Sequence, residues 1–167
     1  PPRSTLFPYT TLFRSTPIEP VSTGKTAPGL RYGYYEGEWT SLPDFDALRP
    51  VEEGVSPRIS LDPRKRDSVF GLRFRGFVKA PADGVYRFYS NSNDGSRLMI
   101  GDQTVVDNDG LHGMQETSGA IALKKGLHPI TVAYFQSGAE KGLVVTWEGP
   151  GLEKQPIQPE ALSHESK

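Results

Sequence analysis

The chain has 167 residues, with 19 basic and 20 acidic side chains, 35% hydrophobic and 10% aromatic content, 18 glycines, 15 prolines and no cysteine. That length suits one domain, and a net charge of −1 gives neither a nucleic-acid footprint nor a membrane-surface patch. The lack of cysteine excludes a disulfide scaffold and a thiolate metal site, and no run approaches the roughly 18 apolar residues of a membrane span, so no nucleic-acid partner and no membrane insertion are expected.

Residues 1–15, PPRSTLFPYTTLFRS, follow no strand or helix pattern. Thr5 to Ser15 back-translates, codon for codon, into a widely used sequencing adapter. The segment is therefore read as an adapter artefact and kept out of the fold argument. Without Arg3 and Arg14 the balance is 17 basic to 20 acidic residues, a net of −3. The remainder is expected to be a multidomain fragment from a bacterial metagenome, so a missing signal peptide carries no weight.

Residues 16–28 (TPIEPVSTGKTAP) hold three prolines and read as a linker or the end of a preceding repeat. From Gly29, LRYGYYEGEW suits a strand and SLPDFD a turn. Residues 46–66, with Pro50, Pro57 and Pro63, read as a long loop with one short strand around Arg58–Leu61. Its cationic run DPRKRD reads as solvated. In VFGLRFRGFV, Phe70, Leu72 and Phe74 share one face while Arg73 and Arg75 take the other.

The turn PADG leads to VYRFYS, then the polar loop NSNDGS, RLMI, the turn GDQ and TVVDN. The loop DGLHGMQE leads to GAIAL, KKG to LHPITVAYF, and QSGAEKG to LVVTWEG. Pro129 suggests an edge position or a strand's first turn. Short alternating strands separated by Gly/Asp/Asn turns, with no helical pattern, predict an all-β fold. It is an antiparallel β-sandwich or barrel of roughly nine to eleven short strands. Leu98, Ile130, Val132, Val145 and Trp147 are expected in its core. The stretch 152–167 reads as a polar tail that packs only in part.

The run from GVYRFYSNSNDGSRLMI through VVDNDGLHG to LHPITVAYF and LVVTWEG resembles the protective-antigen fourteen-kilodalton domain family. A strand of alternating aromatics, an acidic Ser/Asp/Gly loop, an Arg-Leu strand, Val-Asp-Asn before a Gly-His-Gly loop and a closing Leu-x-x-x-Trp strand occur in the family's order. The likeness covers essentially residues 29–151. It implies a β-sandwich binding module of exported bacterial proteins, extracellular, cell-surface or periplasmic.

In calcium-dependent sugar-binding members, two adjacent Asp residues joined by a cis peptide hold the ion, with an Asn from a later loop and main-chain carbonyls. The resemblance carries these roles to Asn93, Asp94 and Gln136, the expected metal-binding residues. Glu140 could add a second charge, and His112 could contact a ligand. Ca²⁺ takes 6–8 oxygens and can leave positions for sugar hydroxyls. Asn93 departs from the pattern by removing one negative charge. A plain polar turn, built on Asn and Asp because they bond their own backbone, stays open as the other reading.

Asp107-Asn108-Asp109-Gly110 fails as an EF-hand, because His112 stands where Gly belongs and Ser118 where Glu belongs. It reads as a turn. His128 reads as structural, and His112 as more simply ordering its loop. Trp147, in phase with Leu143 and Val145, reads as core. Trp39 reads as an exposed stacking ring or a packed lid. No nucleophile elbow, metalloprotease motif, P-loop or dinucleotide fingerprint is present.

The leading expectation is thus a non-catalytic carbohydrate-binding module, with Ca²⁺ as the candidate cofactor. Its partners would be a glycan or cell-surface polysaccharide and the remainder of the parent chain. The alternative is a structural spacer or protein-interaction domain.

Overall fold

The computed structural model describes residues 16–138 and 140–166; the segment 1–15 read as an adapter lies outside them. Alternating side chains along the chain produce twelve strands among the described residues. In chain order they are β1 (Thr26–Pro28), β2 (Leu30–Glu36), β3 (Glu52–Ser56), β4 (Phe70–Ala80), β5 (Gly84–Asn93), β6 (Ser96–Ile100), β7 (Gln103–Asn108), β8 (Gln115–Leu123), β9 (Gly126–Gln136), β10 (Gly142–Gly149), β11 (Leu152–Pro156) and β12 (Leu162–Glu165).

Two antiparallel sheets pack face to face. The larger runs β1-β12-β4-β9-β6-β7, with β2 on β4 and β3 on β2; the smaller runs β11-β10-β5-β8. The period-2 reading of β4 holds: Phe70, Leu72 and Phe74 are fully buried. They meet Tyr86 and Phe88 of β5, Leu98 of β6, Ile130 and Val132 of β9, and Val145 and Trp147 of β10 in one core. The all-β sandwich expectation and the five named core residues are found as expected. Pro129 lies one residue beyond Ile130, the last β9 residue paired with β6.

β4 receives two neighbours along one edge. β2 pairs with residues 70–75 and β12 with Phe77 and Val78. The switch falls at Gly76, where a Cβ would come within 2.3 Å of the Ser163 carbonyl oxygen. Only glycine admits that crossing backbone.

The first and last described segments join the sandwich, which lifts the strand number above the sequence-based range. β1 pairs with β12 in the register Thr26↔Glu165. Ile18 bridges Leu123, and its N–H donates to the Ala122 carbonyl at 2.9 Å. Ile157 and Leu162 are buried. The loop reading of 46–66 also shifts. Its strand is Glu52–Ser56, paired with β2. Arg58–Leu61 instead forms bends, held by the Ser56 hydroxyl donating to the Arg58 carbonyl at 2.7 Å. Pro57, with no N–H, ends the ladder between them.

Candidate functional site

The stretch NSNDGS is shorter as a loop than the sequence suggested. β5 runs through Asn93 and β6 starts at Ser96, in the opposite sheet. Asp94 and Gly95 alone carry the chain across the end of the sandwich. Ser92 and Ser96, read as part of a polar loop, turn inward and bond each other, and Ser96 also bonds Ser90 of β5. Ser96 Oγ lies 2.7 Å from Ser90 Oγ and 2.8 Å from Ser92 Oγ, all three buried. A Cβ on Gly95 would sit 2.4 Å from the Phe135 ring and 2.8 Å from Asp109 Oδ1. A side chain there would push the crossing away from the neighbouring loop.

Asp94 is buried and collects N–H donors from both adjoining loops. Its Oδ1 accepts from the His112 N–H at 3.2 Å. Its Oδ2 accepts from Ser137 N at 2.9 Å, Gln136 Nε2 at 3.1 Å and Gly138 N at 3.4 Å. One carboxylate thus ties together the loops after β5, β7 and β9.

Gln136, the last residue of β9, is fully buried. Its Nε2 faces four oxygens: the Glu140 carbonyl at 2.6 Å, Asp94 Oδ2 at 3.1 Å, Asn93 Oδ1 at 3.3 Å and the Gly138 carbonyl at 3.4 Å. An amide nitrogen carries two hydrogens, so it satisfies two of the four. Gln136 Oε1 accepts from the Tyr134 hydroxyl, which also lies 2.6 Å from the Asn93 carbonyl oxygen. Burial pushes the Tyr134 phenol up from its ordinary value, so it stays a neutral donor.

The PA14 domain profile matches residues 26–161. The chain belongs to the PA14 domain family. Among curated proteins none matches it. Solved structures do. An anti-sigma factor domain-containing protein from Clostridium clariflavum superposes with a TM-score of 0.69 at 28% identity, over 90% of this chain and 53% of that one. The PA14 module thus spans about half the length of that relative. The PA14 sugar-binding domain from an RTX adhesin gives 0.70 at 18% identity, covering 83% and 99%. The Epithelial Adhesin 9 A domain from Candida glabrata, in complex with Galb1-4GlcNAc, gives 0.70 at 13% identity, covering 89% and 95%. At these last two identities the likeness shows the fold.

The structure brings Asn93, Asp94, Gln136 and Glu140 of this PA14 domain together, but not all through the groups expected. Glu140 contributes its main-chain carbonyl, while the residue itself is exposed. No peptide among the described residues is cis, so the Asn93–Asp94 link is trans, unlike that of the calcium-dependent members. Both ring nitrogens of His112 are engaged by its own loop. Nδ1 lies 2.8 Å from the Gly113 carbonyl and Nε2 2.9 Å from the Asn108 carbonyl. His112 reaches the cluster through its main-chain N–H.

His128 is fully buried against the Lys124 carbonyl, at 2.7 Å. Trp39 is half-buried, edge-on to Phe45 at 6.3 Å and close over Gly71, which makes it a lid. Asp109 is a turn acid. Its Oδ1 accepts from Leu42 N at 2.7 Å and Gly110 N at 2.8 Å.

Asn108 is the residue that sequence reasoning passed over. Buried at the end of β7, its Nδ2 lies within hydrogen-bond distance of three acceptors, the Gln115 carbonyl at 2.9 Å, Ser92 Oγ at 3.1 Å and the Ser90 carbonyl at 3.3 Å, for its two hydrogens. Its Oδ1 accepts from Thr117 Oγ1 at 2.9 Å and Gln115 Nε2 at 3.1 Å. It fixes the His112 loop to the β5 end beneath Asp94. Asn108→Ala is expected to cost about 2 kcal/mol, because its buried partners lose their bonds. Chemical denaturation measures this, and a loss below about 0.5 kcal/mol contradicts the role.

Proposed function

We propose that this PA14 domain is a non-catalytic carbohydrate-binding module. In this reading Asn93, Asp94 and Gln136 take Ca²⁺, and the module tethers an exported parent protein, extracellular, cell-surface or periplasmic, to glycan. The observation that carries it is the convergence of four oxygens on Gln136 Nε2. A half-turn of that amide exchanges Nε2 for Oε1 and adds a fifth oxygen to the set.

Five protein oxygens with one formal negative charge fit a hard cation that takes 6–8 oxygens, leaving one to three for water or sugar hydroxyls. The low charge makes the site weak, since ligand charge count tunes calcium affinity. Among the described residues no group of three or more His, Asp or Glu side chains stands together as a metal site. This is in keeping with one built from amides and main-chain carbonyls around a single acid. Leu111 and Met114, on the His112 loop, are 54% and 52% exposed; they offer apolar contact to the face of a sugar ring beside the cluster. The sugar-binding adhesin domain of the same fold supports the glycan reading.

Calorimetric titration with Ca²⁺ tests it. The parent chain is expected to bind in the millimolar range, and Asn93→Asp on the order of tenfold more tightly, because it restores a second charge. Glycan-array binding should appear in calcium and disappear in chelator. If neither form binds the ion and no glycan is retained, the loop is a turn and the module a spacer or protein-interaction domain.

A further inference from the structure

The arginines that alternate outward along β4 find no use in the loop-end site. They lie on the outer face of the larger sheet, where a groove of about 550 Å³ crosses β2, β4 and β9. Arg31 of β2 and Arg75 of β4 are register partners in the antiparallel ladder, so their side chains leave the same face directly opposite each other. Like charges in that position repel and destabilise the pair.

One carboxylate, Asp46, serves two of these arginines, and Arg31 has no acid partner among the described residues. Arg73 uses the Asp46 carboxylate at 2.7 Å and lies over the Phe45 ring, whereas Arg75 reaches the same oxygen only at 3.6 Å. Arg31 donates to the main-chain carbonyl of Glu165 at 3.1 Å. Both Arg31 and Arg75 are exposed. Three arginines, Arg31, Arg73 and Arg75, line the groove. The acids lining the groove are Glu53 and Glu165.

Beside the arginine pair the floor turns apolar. Phe77 and Pro129, register partners of β4 and β9, are half-buried and line the same groove, with Thr131 opposite Arg75. A guanidinium pair beside a flat apolar floor and a hydroxyl matches a ring that carries a carboxylate. Guanidinium groups bind carboxylates through paired charge-assisted hydrogen bonds, and the ring's apolar face rests on Phe77. An acidic peptide supplies the carboxylate but not the ring.

We propose that this outer-sheet groove is a second glycan site, selective for uronate-bearing polysaccharides, with Arg31 and Arg75 holding the carboxylate. It stands apart from the loop-end cluster and does not depend on calcium.

The test is titration of the full chain with polygalacturonate in EDTA, which also silences any calcium site. Arg31→Gln and Arg75→Gln are each expected to weaken binding about tenfold, and Phe77→Ala severalfold. Glu53→Gln, which removes a competing acid from the groove, should strengthen it. Lys154→Gln, on β11 of the smaller sheet, should leave it unchanged, and because EDTA silences the loop-end cluster, this site and the calcium reading fail or stand separately. No binding by the parent chain, or binding by both arginine variants as tight as the parent's, overturns the proposal. So does equal affinity for dextran sulfate or polyglutamate, which would show charge attraction without recognition of a uronate ring.

Discussion

Trp147→Ala is expected to destabilise the fold by about 3–5 kcal/mol, the range of large aromatic truncations in cores. Trp147 is 3% exposed toward the C-terminal end of β10, paired with Phe88 of β5 on one side and Gln155 of β11 on the other. Its ring stacks on Tyr86 at 5.6 Å and tilts against Phe88 at 5.9 Å. The smaller sheet has four strands, and this ring packs its two central strands, β10 and β5, against each other within the shared core. Removing it leaves a cavity that β-strand backbones cannot collapse to fill.

Among the described residues the indole N–H is buried without a hydrogen-bond partner. Trp147→Phe should therefore cost markedly less than Trp147→Ala, because it keeps most of the ring and removes an unsatisfied donor. Urea unfolding followed by circular dichroism measures both. In a Trp39→Phe background, Trp147 is the sole tryptophan, and its fluorescence should resist iodide quenching in the folded state. Free quenching, or a loss below about 1 kcal/mol, contradicts the packing.

The core was legible for the same reason that Trp147 was. Residues two apart along a strand share a face, so Phe70, Leu72 and Phe74 on β4 and Val145 and Trp147 on β10 marked it without any knowledge of partners. The edges were not legible, because their pairing is set by contacts far along the chain. Thr26 meets Glu165, and nothing near either residue announces it. Ile157 and Leu162 sit in a polar, proline-broken stretch with no alternation to betray their burial.

The site divides the same way. Asn93, Asp94 and Gln136 stood out through the family resemblance. The carbonyls of Gly138 and Glu140 could not, since every residue has one and only the path of the loop aims them at Gln136. Asn108 was hidden by its neighbours, because Asp-Asn-Asp-Gly reads as a turn whether or not its Asn points inward. The Arg31–Arg75 pair illustrates the converse. The outward direction of Arg75 could be read from β4 alone, but its partner required the register.

Asp94→Ala is expected to weaken the fold by about 2–4 kcal/mol and to abolish any rise in melting temperature with calcium. The stability loss follows from its bonds. The carboxylate accepts from three main-chain N–H groups and the Gln136 amide, and bonds to a charged acceptor contribute about 1.5–3 kcal/mol each before non-additivity. A domain stable by about 5–15 kcal/mol survives that loss, so the variant should still fold. Asp94→Asn separates the two effects. It keeps one acceptor oxygen, but its NH₂ must face a donor, so a smaller loss is expected. It also removes the only formal charge in the oxygen cluster, so the calcium response should vanish as completely as in Asp94→Ala. A ligand that binds only the folded state raises stability by mass action. The melting temperature of parent, Asp94→Asn and Asn93→Asp across a calcium series therefore reads ion binding apart from structural support. If Asp94→Asn keeps the full calcium response, the ion binds elsewhere. If Asp94→Ala melts with the parent, the four donors do not depend on that carboxylate, and the loops after β5, β7 and β9 are held by other contacts.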